Sequence, residues 1–126
     1  MALSILEDID SVLLHRKQVI IDEIFLKLVF IRIAGILKTY APNGAVIFAT
    51  TTPPDADMPG HDMDRLKAYN AAAVAALSPM GILINDLFTP VAEDIDRMIS
   101  EDYLHASPYG VEILANRVAD CIKKNA

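Results

Sequence analysis

The chain has no second cysteine to partner Cys121, so no internal disulfide can form and nothing points to an oxidising compartment. Cys121 falls in a stretch with helical spacing, residues 111–124, where a buried, inert thiol is expected rather than a nucleophile. The N-terminus lacks a basic n-region, and Glu7, Asp8 and Asp10 interrupt its apolar run before a signal-peptide core is complete, so no export signal is expected. No apolar run reaches the ~20 residues of a membrane span. The most apolar stretch, residues 24–37, is broken by Lys27 and Arg32 and reads as a buried helix. Positive charge is also scarce: 11 Lys and Arg against 17 Asp and Glu leave a formal charge of -6, which repels phosphate backbones and anionic lipid headgroups. A cytoplasmic protein with no nucleic-acid or membrane partner is the expectation. No internal repeat or low-complexity tract is present either.

What is present suits one compact core. The 126 residues are 53% hydrophobic and 22% charged, enough apolar material for a single domain and too little length for two. Residues 2–6 form a short apolar run compatible with a strand, a helix being the alternative, and residues 7–17 read as a polar loop. From 22 to 40 the apolar residues recur at helical spacing around most of the cylinder, with Asp22 and Glu23 in the expected first turn and Lys38 in the last. Pro42-Asn43-Gly44 then stops the helix. Residues 44–50 and 81–86 are apolar runs bounded by turn formers, as parallel strands buried on both faces are. Helices are expected over about 63–77 and 91–98, and a last one runs to about Lys124 with Ser107 as N-cap and Pro108 at its first position. Strands alternating with helices predict an α/β fold with a parallel sheet and right-handed crossovers.

In such sheets, ligands bind beyond the carboxyl ends of the strands. The loop before the final helix is the most suggestive, because Asp102 stands three residues before His105. At that spacing a carboxylate can hold Nδ1 of the imidazole and leave Nε2 free as a general base. The alternative is a turn-capping aspartate beside a surface histidine. The acidic loop, residues 55–64, puts Asp side chains, His61 and Gly60 close together, but Pro59 occupies the fifth position of an EF-hand-like loop and Leu66 the twelfth, where a bidentate Glu is needed. Neither a metal nor a cofactor is expected. His15, beside Arg16 and Lys17, reads as part of a polar connection.

The run Asp102-x-x-His105-x-Ser107-Pro108-x-Gly110, followed by an amphipathic helix, resembles the last signature block of the SGNH/GDSL-type serine hydrolases. Other segments match in order. Residues 40–54 resemble the family's fourth strand, Asp64-Arg65-Leu66-Lys67-Ala68-Tyr69-Asn70 the start of its next helix, and Gly81-Ile82-Leu83-Ile84-Asn85-Asp86-Leu87-Phe88 its fifth strand and exit. The resemblance covers most of the chain from about Arg16 onward. It implies a three-layer α/β/α, flavodoxin-like SGNH hydrolase fold, with strands near residues 2–6, 45–50 and 82–86. It further implies hydrolysis of a small ester substrate, with Asp102 and His105 as two members of a catalytic triad.

The family's Gly-Asp-Ser block, which carries the nucleophile, occurs nowhere in the chain. Residues 1–126 therefore read as a single SGNH-hydrolase-like domain, N-terminally truncated and lacking the first strands. Leu6-Glu7-Asp8-Ile9-Asp10 aligns with the third-strand block, where Glu7 would repel an oxyanion rather than stabilise it. Ser4, Ser11, Ser78, Ser100 and Ser107 are each better explained as polar structure than as a substitute nucleophile. Two expectations result: an ester hydrolase that needs its serine from another segment, or an inactive relative acting as a binding or assembly module. The missing strands should leave an open edge at residues 2–6. With the apolar helix over 24–37 incompletely covered, this predicts a homo-oligomer.

Overall fold

The computed structural model describes residues 2–126, and the side chains from Arg16 onward apart from Val19 and Ile21. It opens on a 39-residue helix, α1 (Ala2–Tyr40). The strand expected at residues 2–6 and the loop expected at 7–17 are both part of α1, which corrects those readings. The physical reason lies in the missing breakers: before Pro42 the chain has no proline and a single glycine, Gly35, so nothing halts helix propagation. Asp22 is consequently a mid-helix residue rather than a first-turn one. Its carboxylate takes hydrogen bonds from Gln18 Nε2 at 2.8 Å, Tyr69 Oη at 3.0 Å and the Arg65 guanidinium, and these hold it below the ordinary carboxylate range.

Arg65 and Tyr69 belong to α2 (Met63–Leu77), which matches its expected limits. Asp62 caps it by accepting from Arg65 N at 3.0 Å, so this member of the acidic loop serves a helix start. Ala72 and Ala73 are buried on α2, and such small side chains let α1 and α2 approach closely.

Two strands, β1 (Ile47–Ala49) and β2 (Leu83–Asn85), pair in parallel with Ile47 opposite Leu83 and Ala49 opposite Asn85. Both are shorter than the runs that suggested them. On one face Val46 and Phe48 pack with Ala34, Phe30 and Leu77, the Phe30 and Phe48 rings meeting edge to face at 5.1 Å. On the other, Ile47 and Ala49 line a cleft with Val118, Cys121 and Ile122. Cys121 is half-buried.

The single helix expected over 91–98 is two: α3 (Phe88–Glu93) and α4 (Ile95–Met98), broken at Asp94, whose backbone leaves helical geometry at φ -141° and ψ 49°. The chain ends in α5 (Pro108–Asn125). A second core of Val91, Met98 and Ile99 packs under Ile113 and Leu114 of α5. No helix among the described residues is long and apolar enough to cross a membrane.

Candidate active site

Three side chains fix the loops at the carboxyl ends of the strands. Thr50, buried at the exit of β1, accepts the backbone N–H groups of Leu87 and Phe88 at 3.0 Å each and donates to Asp86 Oδ1 at 3.2 Å. Burial raises the Asp86 carboxyl, but hydrogen bonds from Thr89, Thr50 and Phe88 outweigh it, and the net shift is downward. Asn70 binds the backbone of Thr51 as a strand would, accepting from its N–H and donating to its carbonyl, both at 2.9 Å. An open cleft of about 400 Å³ lies among Thr50, Lys67, Asn70, Val74, Asp86 and Phe88.

The loop from Ile99 to Ala106 closes through an antiparallel bridge between those two residues. Ser100 N donates to His105 O at 2.8 Å, and Tyr103 takes the left-handed φ of 66° that lets the chain reverse between them. Asp55 N donates to Tyr103 O at 2.9 Å, tying this loop to the one that leaves β1. Asp102 and His105 are thereby brought together: His105 Nδ1 stands 2.5 Å from Asp102 Oδ2. The other carboxylate oxygen, Oδ1, accepts from Leu104 N at 3.0 Å, His105 N at 2.9 Å and the Ser100 hydroxyl at 2.8 Å. An ionised carboxylate only accepts, so Nδ1 carries a proton, and in the neutral imidazole Nε2 is then the nitrogen with the lone pair. The dyad is open to solvent, with the His105 side chain 76% exposed and that of Asp102 51%, whereas a working triad is normally enclosed.

The five serines differ in availability. Ser100 Oγ lies on the carboxylate side of the dyad, bonding Asp102 Oδ1 and His105 O, not at Nε2. Ser107 Oγ accepts from Gly110 N at 3.0 Å and donates to Arg97 O, so it is consumed in capping α5. Ser78 opens a 3-10 turn after α2. The side chains of Ser4 and Ser11 lie outside the described ones, as does that of His15. Of the acidic loop, Asp55 Oδ1 accepts from Asp57 N at 2.9 Å, and His61 Nε2 is shielded without a partner among the described residues. Sequence reasoning did not anticipate Thr50 and Asn70; their only signal is position, one at a strand exit and the other a polar residue inside an alanine-rich helix.

Asp102 sits well below the usual carboxylate range, chiefly because of His105, then the N–H groups of Leu104 and His105 and the Ser100 hydroxyl. A depressed folded-state value means that this carboxylate stabilises the fold above its unfolded value of about 4 and loses that contribution as pH falls through the folded value. Acid unfolding followed by circular dichroism is expected to carry a component between about pH 4 and 2 that is absent from Asp102→Asn. Superimposable wild-type and variant curves would remove the linkage.

No family model matches the sequence, and no curated protein matches it. Solved structures do. The esterase domain of the ORF1 protein from the zebrafish ZfL2-1 retrotransposon superposes with a TM-score of 0.71 at 20% identity, over 81% of this chain and 60% of that one. A member of the lipolytic protein G-D-S-L family from Veillonella parvula gives a TM-score of 0.55 at 21% identity, over 75% of this chain and 52% of that one. The chain shares the SGNH/GDSL-type fold and spans about three-fifths of the first relative's length and half of the second's.

Proposed function

We propose that this chain is the Asp–His part of an SGNH-type ester hydrolase, a three-layer α/β/α domain whose serine nucleophile and oxyanion donors come from another segment. His105 Nε2 takes the proton of that serine as its oxygen attacks the ester carbonyl and returns it to the departing alcohol. It then takes a proton from the water that attacks the acyl-serine and returns that proton to the serine oxygen as the acid leaves. Asp102 holds the imidazole in the required tautomer and offsets its transient positive charge. The observation that carries this reading is the Nδ1 to Oδ2 hydrogen bond, made by a carboxylate whose other oxygen is fixed by three donors. A dyad built only to cap a turn has no need of the imidazole. A small ester is the proposed substrate, and a lone thiol suits a cytoplasmic setting. The second reading, an inactive relative serving assembly, draws on the side of β1 that is unpaired among the described residues.

The test is turnover of a short-chain aryl ester together with fluorophosphonate labelling. The chain alone is expected to be no faster than its His105→Ala variant and to take up no label. Fused behind a segment carrying a Gly-Asp-Ser strand, it should hydrolyse the ester in a His105-dependent way and label once, on the added serine. A His105-dependent rate with an adduct on one of the chain's own serines would overturn the external nucleophile. A labelled fusion indifferent to His105 would overturn the base.

A further inference from the structure

Three of the described residues adopt a left-handed φ. Two are glycines, Gly60 at 74° and Gly81 at 73°, and the third is Tyr103 at 66°. A bulky L residue is disfavoured there because its Cβ crowds the following carbonyl oxygen, and the cost persists only where the surroundings impose it. They impose it from both sides: Tyr103 N donates to Ser100 O at 3.0 Å, and Asp55 N donates to Tyr103 O at 2.9 Å. Glycine would meet the same demand without strain. The ring is therefore what needs explaining.

Nothing among the described residues uses that ring. Tyr103 is 44% exposed, belongs to neither hydrophobic core and stacks on no other aromatic side chain. The side-chain hydrogen bonds of its loop run among Ser100, Asp102, Leu104 and His105 and leave the Tyr103 hydroxyl out. Leu104 is 48% exposed, so both residues between Asp102 and His105 present apolar surface to solvent.

Position says which part of an ester that surface would meet. In the proposed hydrolysis Nε2 of His105 protonates the departing alcohol, so the imidazole stands on the alcohol side of the scissile bond. The residues that lead into it border the alcohol rather than the acyl group. Charge narrows the class further. Residues 51–64 and 98–116 contain no Lys or Arg, while Asp55, Asp57, Glu101 and Asp102 lie on the two joined loops, which disfavours an anionic alcohol.

We infer that the Tyr103 side chain is kept in its strained position because it binds the alcohol part of the substrate, and that this alcohol is uncharged and apolar. The inference rests on the esterase reading and names the substrate class of the same site.

Two esters with one acyl group test it. Benzyl acetate and methyl acetate release alcohols of similar acidity, so a change in their ratio reports binding rather than reactivity. In the domain completed with a Gly-Asp-Ser segment, Tyr103→Ala and Tyr103→Gly should each lower kcat/KM about tenfold for benzyl acetate and less than about twofold for methyl acetate. Tyr103→Phe should match the wild type on both. Melting of the full chain gives the second readout: Tyr103→Gly, which lacks the ring but relieves the backbone, should melt a few degrees above Tyr103→Ala and no lower than the wild type. His105-dependent turnover with an unchanged benzyl-to-methyl ratio in Tyr103→Ala overturns the inference and leaves the esterase reading standing. Equal losses on both esters do the same, since they would set the ring against the completing segment. Turnover of neither ester, or turnover indifferent to His105, overturns both. A Tyr103→Gly chain that melts well below the wild type would mean that the ring packs within the fold, which also overturns the inference.

Discussion

Gly110→Ala is expected to destabilise the fold by about 2 kcal/mol, seen as a melting midpoint roughly 5–10 °C lower. A methyl group at Gly110 would lie 2.2 Å from Met98 O and 3.0 Å from Met98 C. These are backbone atoms, which cannot swing aside as a side-chain tip can. The carbonyl is also engaged, accepting from Ser107 N at 2.8 Å, so moving it breaks the start of α5. Overpacking of this kind costs about 1–3 kcal/mol and occasionally more, while alanine's better helix propensity returns only about 1 kcal/mol. The strain also travels. Met98 leads directly into Ile99, whose bridge to Ala106 closes the loop carrying Asp102 and His105. Ala115→Gly, which also lies in α5 but on an exposed face, is the control for propensity. Equal midpoints for wild type and Gly110→Ala would show that the close approach is not maintained in solution.

That glycine also illustrates what was legible in the sequence. Its place in Ser107-Pro108-x-Gly110 marked it as part of a signature, but only the packing of α5 against the end of α4 shows why no side chain fits. The final helix was readable because Ser107 and Pro108 are local signals that need no tertiary partner. The limits of α2 were legible too, but not its cap, since Asp62 read only as one member of the acidic loop. Residues 2–6 failed because four apolar residues around Ser4 satisfy a strand and a helix pattern equally, and only the absence of a breaker before Pro42 decides between them. With that strand gone, the sheet among the described residues is β1 and β2 alone, each bonded on one side. Asp22 was misread for a related reason: its acidic side chain looked like a helix start, whereas it answers to Arg65 and Tyr69, distant in sequence. At the candidate site, the Asp–His spacing was visible, but the positive φ of Tyr103 that brings the two side chains together was not.

Under the proposed hydrolase reading, in a domain completed with a Gly-Asp-Ser segment, Asp102→Asn is expected to lower ester hydrolysis by about 10⁴-fold and His105→Ala by about 10⁶-fold. The smaller loss is the more informative. Asparagine keeps a carbonyl oxygen, and Leu104 N, His105 N and the Ser100 hydroxyl, all donors to Oδ1, fix which end of the amide faces them. The NH₂ group must then occupy the Oδ2 position against His105 Nδ1. A donor there obliges Nδ1 to accept, which sends the ring proton to Nε2, where it blocks removal of the serine proton. The loop keeps its shape while the base carries its proton on the wrong nitrogen. His105→Ala removes the base altogether and so costs more. Nitrogen-15 spectra of the imidazole give a readout that a merely structural role for Asp102 would not move: in the neutral ring the proton should shift from Nδ1 to Nε2 in Asp102→Asn. An Asp102→Asn domain with wild-type kcat/KM and an unaltered tautomer would mean that Asp102 only closes the turn.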